Sequence, residues 1–396
     1  MKLMDELLGP PVCLFFHLYN LVKKPFVRYR LDPDKTNNIL LMKFFGMGSI
    51  LLAGPMMRAL KENFPKAKII ILTFSGNEEI CRRIKLIDEV MCVETNSVLK
   101  LVISMIKAIL KIRKKHCEIS IDLEFFAKSS TLIQYLCGTP VRAGYYLIQI
   151  GVFIKMLWRG NLLTHQVYYN LHKHTTESFL ALARSLGADT DDLRLAEVEI
   201  FNSDKENVGL IFREENIRPS DFLIAININT GPLCMERRWP ANNFSWLVNM
   251  LQEHKVIKIV LTGDIKDRDY TGLFLASLNS KDNIIDLTGR LDIASLAALL
   301  AKVNLLITND SGPMHLAASL GTPVVALFGP ETPIRFGPLG MKHTVFYPSI
   351  YCSPCLNIYN QKTAPCNGNN ECMRMILPEE VYRAVREKYL HDLKSL

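Results

Sequence analysis

The sequence predicts an α/β protein of two parallel-sheet domains, and three observations carry the prediction. Short apolar runs alternate with helical periodicity, and the succession occurs twice with a charged stretch between. The length of 396 residues is enough for two domains at roughly 150 residues each. With 49% hydrophobic and 22% charged residues, disordered, collagen-like and disulfide-scaffold classes are excluded. Lys plus Arg (47) exceed Asp plus Glu (39), and the net charge of +8 suits anionic partners such as phosphates or lipid headgroups. No aromatic-studded basic repeat is present, so nucleic acid is not an expected partner.

Residues 1–36 read as an amphipathic, membrane-associating segment. Asp5 and Glu6 stand where a secretory signal needs positive charge, and no small-residue cleavage site follows. The apolar stretch 12–22 is interrupted by His17 and Asn20 and is shorter than the roughly 20 residues of a bilayer span. Lys23, Lys24, Arg28 and Arg30 follow it, a combination suited to an anionic leaflet. The expected location is cytoplasmic, peripheral at the inner face of the cytoplasmic membrane.

Residues 37–190 read as a first Rossmann-like domain. Strands are expected at 39–44, 69–74, 89–93 and 119–123, and helices at 50–63, 78–84, 98–115 and 129–136. Such βαβ succession predicts a parallel sheet covered on both faces. From 141 to 169 the pattern becomes irregular, and 145–158 carries one charge in fourteen residues. A helix is expected at 175–186, stopped by Gly187. Residues 191–219 read as the interdomain passage, and 220–345 as a second Rossmann-like domain with strands at 222–228, 257–262, 284–286, 303–308 and 324–328. The remaining 346–396 holds a cysteine cluster and a C-terminal helix. The expected architecture is two Rossmann-like domains with a cleft between them.

Segment 303–330 is the most informative. A strand ends at Thr308, Asn309-Asp310-Ser311-Gly312 turns the chain, and a helix runs from Pro313 to Leu320. The free N–H groups of its first turn, with Met314 among them, form an anion site. Gly312 lets a ligand approach, Ser311 adds a hydroxyl, and His315 lies four residues on. The competing reading is that Asp310 or Ser311 merely caps the helix and His315 is a satisfied core histidine.

The run 309–318 (NDSGPMHLAA), followed by 321–330 (GTPVVALFGP), resembles the signature of the lipopolysaccharide heptosyltransferase family, glycosyltransferase family nine. Residues 43–65 are similar to that family's N-terminal glycine turn and helix, and Arg238-Trp239-Pro240 to its Arg/Lys-x-Trp-Pro element. The resemblance implies a GT-B fold and an inverting mechanism with no metal at the reaction centre. It also implies a nucleotide-diphosphate sugar donor held mainly by the second domain, and an acceptor of lipid-linked or lipopolysaccharide type. No cofactor is implied for catalysis.

The family commonly has Gly-Asp in the first glycine turn, with the aspartate as proposed base, whereas this chain has Gly48-Ser49. Serine is no base at neutral pH without an activating group. Asp122 and Glu124 end the fourth strand and point the same way if the strand persists, which makes Glu124 the candidate base with Asp122 beside it. The alternative is that Asp122 caps the next helix and Glu124 forms a salt bridge. Gly46, Gly48, Ser49, His165, His172 and His174 are the acceptor-side candidates. Gly46-Met47-Gly48 lacks the third glycine of a dinucleotide fingerprint at the required spacing, and Thr73-Phe74-Ser75 stands where a ribose-binding acid belongs, so NAD is not expected.

For the donor, Asn229 and Thr230 follow the first strand of the second domain, and Arg237 or Arg238 offers a bidentate fork for a diphosphate. Their alternative is a solvated arginine beside a helix start. Asp264 and Asp267 are further hydroxyl-binding candidates. In the helix 98–115, Lys100, Ser104, Lys107, Lys111 and Lys114 or Lys115 recur at helical spacing, read as a basic stripe opposite Val102, Met105, Ile109 and Ile112. Cys352, Cys355, Cys366 and Cys372 have the spacing of a structural zinc site, with disulfides as the alternative. Two other functions compete with the transferase: a nucleotide-sugar epimerase of the same architecture, and a membrane-associated nucleotide-sugar-binding protein without turnover.

Overall fold

Asn38–Met42 (β1) reads NILLM and is apolar from its second residue on, with Ile39 to Met42 fully buried, as a central parallel strand requires. This holds in the computed structural model, which describes residues 2–23, 31–125, 127–146, 159–231, 234–357 and 363–390. The chain divides into two units, Met1–Ala196 and Glu197–Leu396. In the first, β1 is joined by β2 (Lys68–Phe74), β3 (Glu89–Val93), β4 (Ile119–Asp122), β5 (Val141–Tyr146) and β6 (His165–Tyr168). The order is β3-β2-β1-β4-β5-β6 and neighbouring strands run parallel.

Its helices are α1 (Lys2–Lys23), α2 (Met47–Leu52), α3 (Gly54–Asn63), α4 (Glu78–Arg82), α5 (Val98–Lys114), α6 (Lys128–Leu136) and α7 (Thr175–Arg184). The single helix expected over 50–63 is broken at Ala53, where Gly54-Pro55 starts a new helix. Gly54 is needed there: a Cβ would meet the Ala196 nitrogen at 2.2 Å, and that nitrogen donates to the Leu51 carbonyl at 3.1 Å. Its role is close packing of backbone, and it does not present a surface to an acceptor. Helix α1 is docked on this unit. The Asp5 carboxylate caps α6, accepting from the backbone nitrogens of Lys128 (2.9 Å) and Ser129 (2.6 Å), and the Phe16 ring lies 5.1 Å from that of Tyr135. Lys24, Arg28 and Arg30, the side chain of Lys23, and residues 147–158 of the apolar stretch lie outside the described residues. Among the described residues no helix is long and apolar enough to cross a membrane.

The second unit contains β7 (Phe222–Asn227), β8 (Ile257–Leu261), β9 (Ile284–Asp286), β10 (Leu305–Asn309), β11 (Val324–Leu327) and β12 (Thr344–Phe346), in the order β12-β11-β10-β7-β8-β9, again all parallel. Its helices are α8 (Asn202–Glu214), α9 (Ala241–Gln252), α10 (Arg268–Ala276), α11 (Ile293–Leu300), α12 (Gly312–Ser319), α13 (Pro333–Phe336), α14 (Glu371–Arg374) and α15 (Pro378–Tyr389). Residues 191–219 are not bare linker, because α8 falls inside them and packs on α11. Val381 and Val385 of α15 are fully buried in the same core as Trp239, Phe244 and Leu247. Burying each valine contributes about 1.5–3 kcal/mol, so the C-terminal segment completes this unit.

Both sheets share one plan. In each, the first strand lies between the second and the fourth, so the chain changes direction across the sheet at β1/β4 and at β7/β10. Ligands of open α/β sheets bind at such switch points, beyond the carboxyl ends of the strands.

Candidate functional site

At the first switch point the chain leaves β1 through Lys43 and β4 through Glu124. Lys43 Nζ donates to Glu124 Oε1 at 2.9 Å, and the same oxygen accepts from the backbone nitrogens of Phe44 (2.7 Å) and Phe45 (3.1 Å). The ion pair is buried on both sides. Oε2 carries no hydrogen bond among the described residues. Asp122, the last residue of β4, is fully buried and takes four donors: Ser130 Oγ (2.7 Å), Thr131 Oγ1 (3.0 Å) and Arg159 Nη1 (3.1 Å) on Oδ2, and the Glu124 nitrogen (3.0 Å) on Oδ1. Burial pushes its carboxyl above the usual carboxylate range, and the Arg159 guanidinium opposes that rise. Asp122 thus bonds to the start of α6 and Glu124 forms an ion pair, the contacts that the competing reading expected of them. The strand ends at Asp122, which ties down the start of α6 and is fully buried, out of reach of a substrate proton. Glu124 lies past the strand and keeps Oε2 for one.

Gly46 has φ +86°, a conformation that favours glycine, and opens α2, where the Ser49 nitrogen donates to its carbonyl at 3.0 Å. Gly48 is buried and Ser49 half-buried within the same short helix. The histidines do not gather. His165 begins β6 and pairs with Thr164 Oγ1 at 2.9 Å, and burial lowers its pKa. His172 is exposed, while His174 caps α7 by accepting from the Thr176 nitrogen at 3.3 Å.

At the second switch point, Asn309 binds the turn together. Its side chain accepts from the Trp239 nitrogen (2.9 Å) and donates to the carbonyls of Ile228 (3.0 Å) and Asn229 (3.3 Å). Helix α12 then starts with Pro313 in its first turn, so the N–H groups of Gly312, Met314 and His315 lie at its positive end. Ser311 is the N-cap residue, but its hydroxyl pairs with Thr308 Oγ1 at 2.9 Å in place of capping the helix. The Met314 side chain is fully buried, so its part in anion binding is limited to its backbone N–H. His315 is buried as well.

The two arginines separate. Arg237 Nη1 meets Asp310 Oδ2 at 3.2 Å, which places this guanidinium beside the start of α12. Arg238 stacks 4.1 Å above the Tyr270 ring, donates to Asn229 Oδ1 at 3.4 Å and faces Asp267 at 3.6 Å. Thr230 Oγ1 donates to the Cys234 carbonyl at 3.3 Å. Asp264 caps the turn before α10, accepting from the Lys266 nitrogen at 3.0 Å. Around this corner Asn229 Nδ2, Arg238 Nε and Thr262 Oγ1 are buried without a partner among the described residues. Each unmet donor costs about 1–3 kcal/mol, so three beyond β7 and β8 mark a place built for a polar ligand or water.

The cysteine segment is fastened to the loop after β11: the Cys355 nitrogen donates to the Pro330 carbonyl at 3.0 Å and Ser353 Oγ to the Gly329 carbonyl at 2.5 Å. All four cysteines are free thiols, with Cys352 exposed and Cys372 buried. Burial pushes Cys355 and Cys372 up to about 11, and the neighbouring cysteines add to each rise. Among the described residues no group of three or more His, Cys, Asp or Glu side chains is arranged to hold a metal ion.

Lys43, Arg159 and Asn309 hold these sites together and were not singled out from sequence. Lys43 did carry a signal, since a lysine ending a buried apolar strand demands a partner. Arg159 carried none, because its partner Asp122 is 37 residues away.

The profile of glycosyltransferase family 9 (heptosyltransferase) matches residues 105–364, more than half of the chain. Lipopolysaccharide heptosyltransferase 2 of Salmonella typhimurium is 36% identical over 28% of this chain, a match that spans only about a third (32%) of that relative's own length. Lipooligosaccharide heptosyltransferase 2 of Campylobacter jejuni is 24% identical over 85% of this chain and 93% of its own. Among solved structures, ADP-heptose lipopolysaccharide heptosyltransferase II of E. coli superposes with a TM-score of 0.70 at 20% identity, covering 90% of this chain and 99% of that one, which shows the shared GT-B fold. With two Rossmann-like units and the signature helix α12 at the second switch point, the chain belongs to glycosyltransferase family 9 and is a glycosyltransferase.

Proposed function

We propose that this enzyme transfers heptose from ADP-heptose to a lipid-linked, lipopolysaccharide-type acceptor by an inverting reaction that needs no metal. The observation that carries the reading is the second switch point. There the N-terminus of α12, Arg237 beside it and the unmet donors of Asn229, Arg238 and Thr262 offer positive charge and N–H groups to a nucleoside diphosphate. As the bond from the anomeric carbon to the diphosphate breaks, charge develops on the leaving oxygen, and these groups stabilise it. The acceptor hydroxyl attacks the anomeric carbon and loses its proton to Glu124 Oε2 in the first unit. The similarity to a lipooligosaccharide heptosyltransferase and to an ADP-heptose lipopolysaccharide heptosyltransferase supports the donor and acceptor classes. The reaction is placed at the cytoplasmic face of the membrane, where a lipid-linked acceptor and a soluble nucleotide sugar meet.

His315→Ala and Arg237→Ala are each expected to weaken ADP binding by roughly 1–3 kcal/mol, the range for losing a hydrogen bond to a charged group. Calorimetric titration with unchanged ADP affinity in both variants overturns the donor site. The spacing of the four thiols alone supports a structural zinc site, since the described structure does not gather them as ligands, and such a site takes no part in the reaction because a closed thiolate tetrahedron leaves no position for substrate. Purified protein is then expected to contain about one zinc per chain and to lose thermal stability on chelation. Metal-free protein in elemental analysis, with its thiols paired as disulfides, contradicts this.

A further inference from the structure

Helix α5 has two apolar faces, and the fold uses one. Leu101, Met105, Ala108, Ile109 and Ile112 pack into the core with β1 to β3. Leu99, Ile103, Ile106 and Leu110, at spacings of four, three and four residues, line the opposite face and are exposed, Leu99 at 70% and Leu110 at 55%. Val102, which the sequence pattern grouped with Met105, Ile109 and Ile112 opposite the lysines, is exposed with them. Lys100, Lys107, Lys111 and Lys114 are also exposed and follow the stripe one residue further round the helix. Lys111 reaches Glu89 at 3.7 Å; the other three make no ion pair among the described residues. A helix with a long apolar face would ordinarily be covered.

Helix α1, which packs on α6, also has an exposed apolar face. While Cys13 and Phe16 face the unit, Leu14, Phe15, Leu18, Leu21 and Val22 are exposed, Phe15 at 63% and Val22 at 86%. Helix α6 connects the two: Ile133 and Cys137 pack with α5, and Tyr135 packs with α1.

We propose that the outward face of α5, with α1 as its companion, is a docking surface for an anionic lipid bilayer. Leu99, Ile103, Ile106 and Leu110 enter the acyl boundary, and Lys100, Lys107 and Lys114 lie at headgroup level. An apolar stripe edged by lysines is what an interfacial helix presents to such a surface. The charge complementarity selects lipid over an apolar protein partner, which would leave the lysine edge unmatched. The proposal deepens the lipid-linked acceptor reading and rests on it only for its purpose, because docking brings the first unit to the membrane that holds the acceptor.

The test is sedimentation of the full chain with vesicles of phosphatidylcholine containing about a third phosphatidylglycerol, against phosphatidylcholine alone. Wild type is expected to bind the anionic vesicles and to release in high salt, since attraction to surface charge is screened within about 10 Å at 0.1 M. Ile106→Glu with Leu110→Glu, both at exposed sites, should lower the partition at least tenfold with unchanged thermal melting. Lys100→Glu with Lys107→Glu should lower it by a similar factor on anionic vesicles only, at about fivefold per lysine or more. Equal binding by wild type and both variants overturns the proposal. So does a concentration-dependent dimer abolished by Ile106→Glu, which would show that a second copy covers the stripe. ADP titration, read without vesicles, reports separately on the transferase site.

Discussion

Glu124→Gln is expected to lower turnover by about 100-fold or more while leaving ADP affinity nearly unchanged. The acceptor oxygen must lose a proton as it attacks, and the group that takes it must have an unoccupied lone pair. Asp122 offers none to a substrate, because it is fully buried, with three donors on Oδ2 and the Glu124 nitrogen on Oδ1. Ser49 is not a base. Glu124 has Oε1 occupied by Lys43, Phe44 and Phe45, and Oε2 unengaged. Glutamine keeps an oxygen for the two backbone N–H groups but leaves the buried Lys43 without its counter-charge, so some stability is lost as well. Turnover is therefore read per ADP-binding site, which counts folded enzyme. Ser49→Ala should cost far less, as a lost hydrogen bond would. Near-normal turnover in Glu124→Gln would move the base elsewhere, and His165, His172 and His174 would be substituted next.

Arg159→Met should destabilise the protein by about 3–5 kcal/mol in urea unfolding, the cost of leaving a buried charge without its partner. Arg159 and Asp122 are both almost fully buried, and Arg159 Nη2 also donates to the Glu124 carbonyl at 3.1 Å. Converting both partners, Arg159→Met with Asp122→Asn, should recover much of the loss, since no unpaired buried charge remains. The pH dependence has a definite sign. Burial raises the Asp122 carboxyl, and removing Arg159 removes the group that opposes the rise. A folded-state pKa above the unfolded one favours the folded state in acid, and that contribution is lost as pH rises through the folded value. The gap between wild type and Arg159→Met should therefore narrow as pH falls. A loss below about 1 kcal/mol at neutral pH would show that water reaches this pair.

The strands 39–44 and 303–308 were legible because a central parallel strand, buried on both faces, is a plain apolar run. Helix α12 was legible from its Gly-Pro start and its Gly321 stop. Edge strands β6 and β12 were not: His165–Tyr168 alternates half-buried with exposed residues and buries none fully, and Thr344–Phe346 is three residues long. Periodicity grouped Val102 with Met105, Ile109 and Ile112, from which the structure separates it, because a helix apolar on two faces has no unique inside. The chemistry of Asp122 and Glu124 was half legible. Their spacing put both at the carboxyl edge of the sheet. Which oxygens are free depends on Lys43, 81 residues from Glu124, and on Arg159, and such pairings leave no local trace.

The capping of α6 by Asp5 also sets a schedule during synthesis. Lys128, the residue whose backbone receives that carboxylate, is added 123 residues after it. At roughly 5–20 residues per second the ribosome takes about 6–25 s to cover that distance. Through that interval α1 lacks α6 as a partner, and Cys13 and Phe16 are as open as Phe15 and Leu18. Helix α1 is thus made before β1 to β4 and fastened only after all four have been synthesised, so its inward side chains wait, open to whatever apolar surface is near, while the centre of the sheet is laid down.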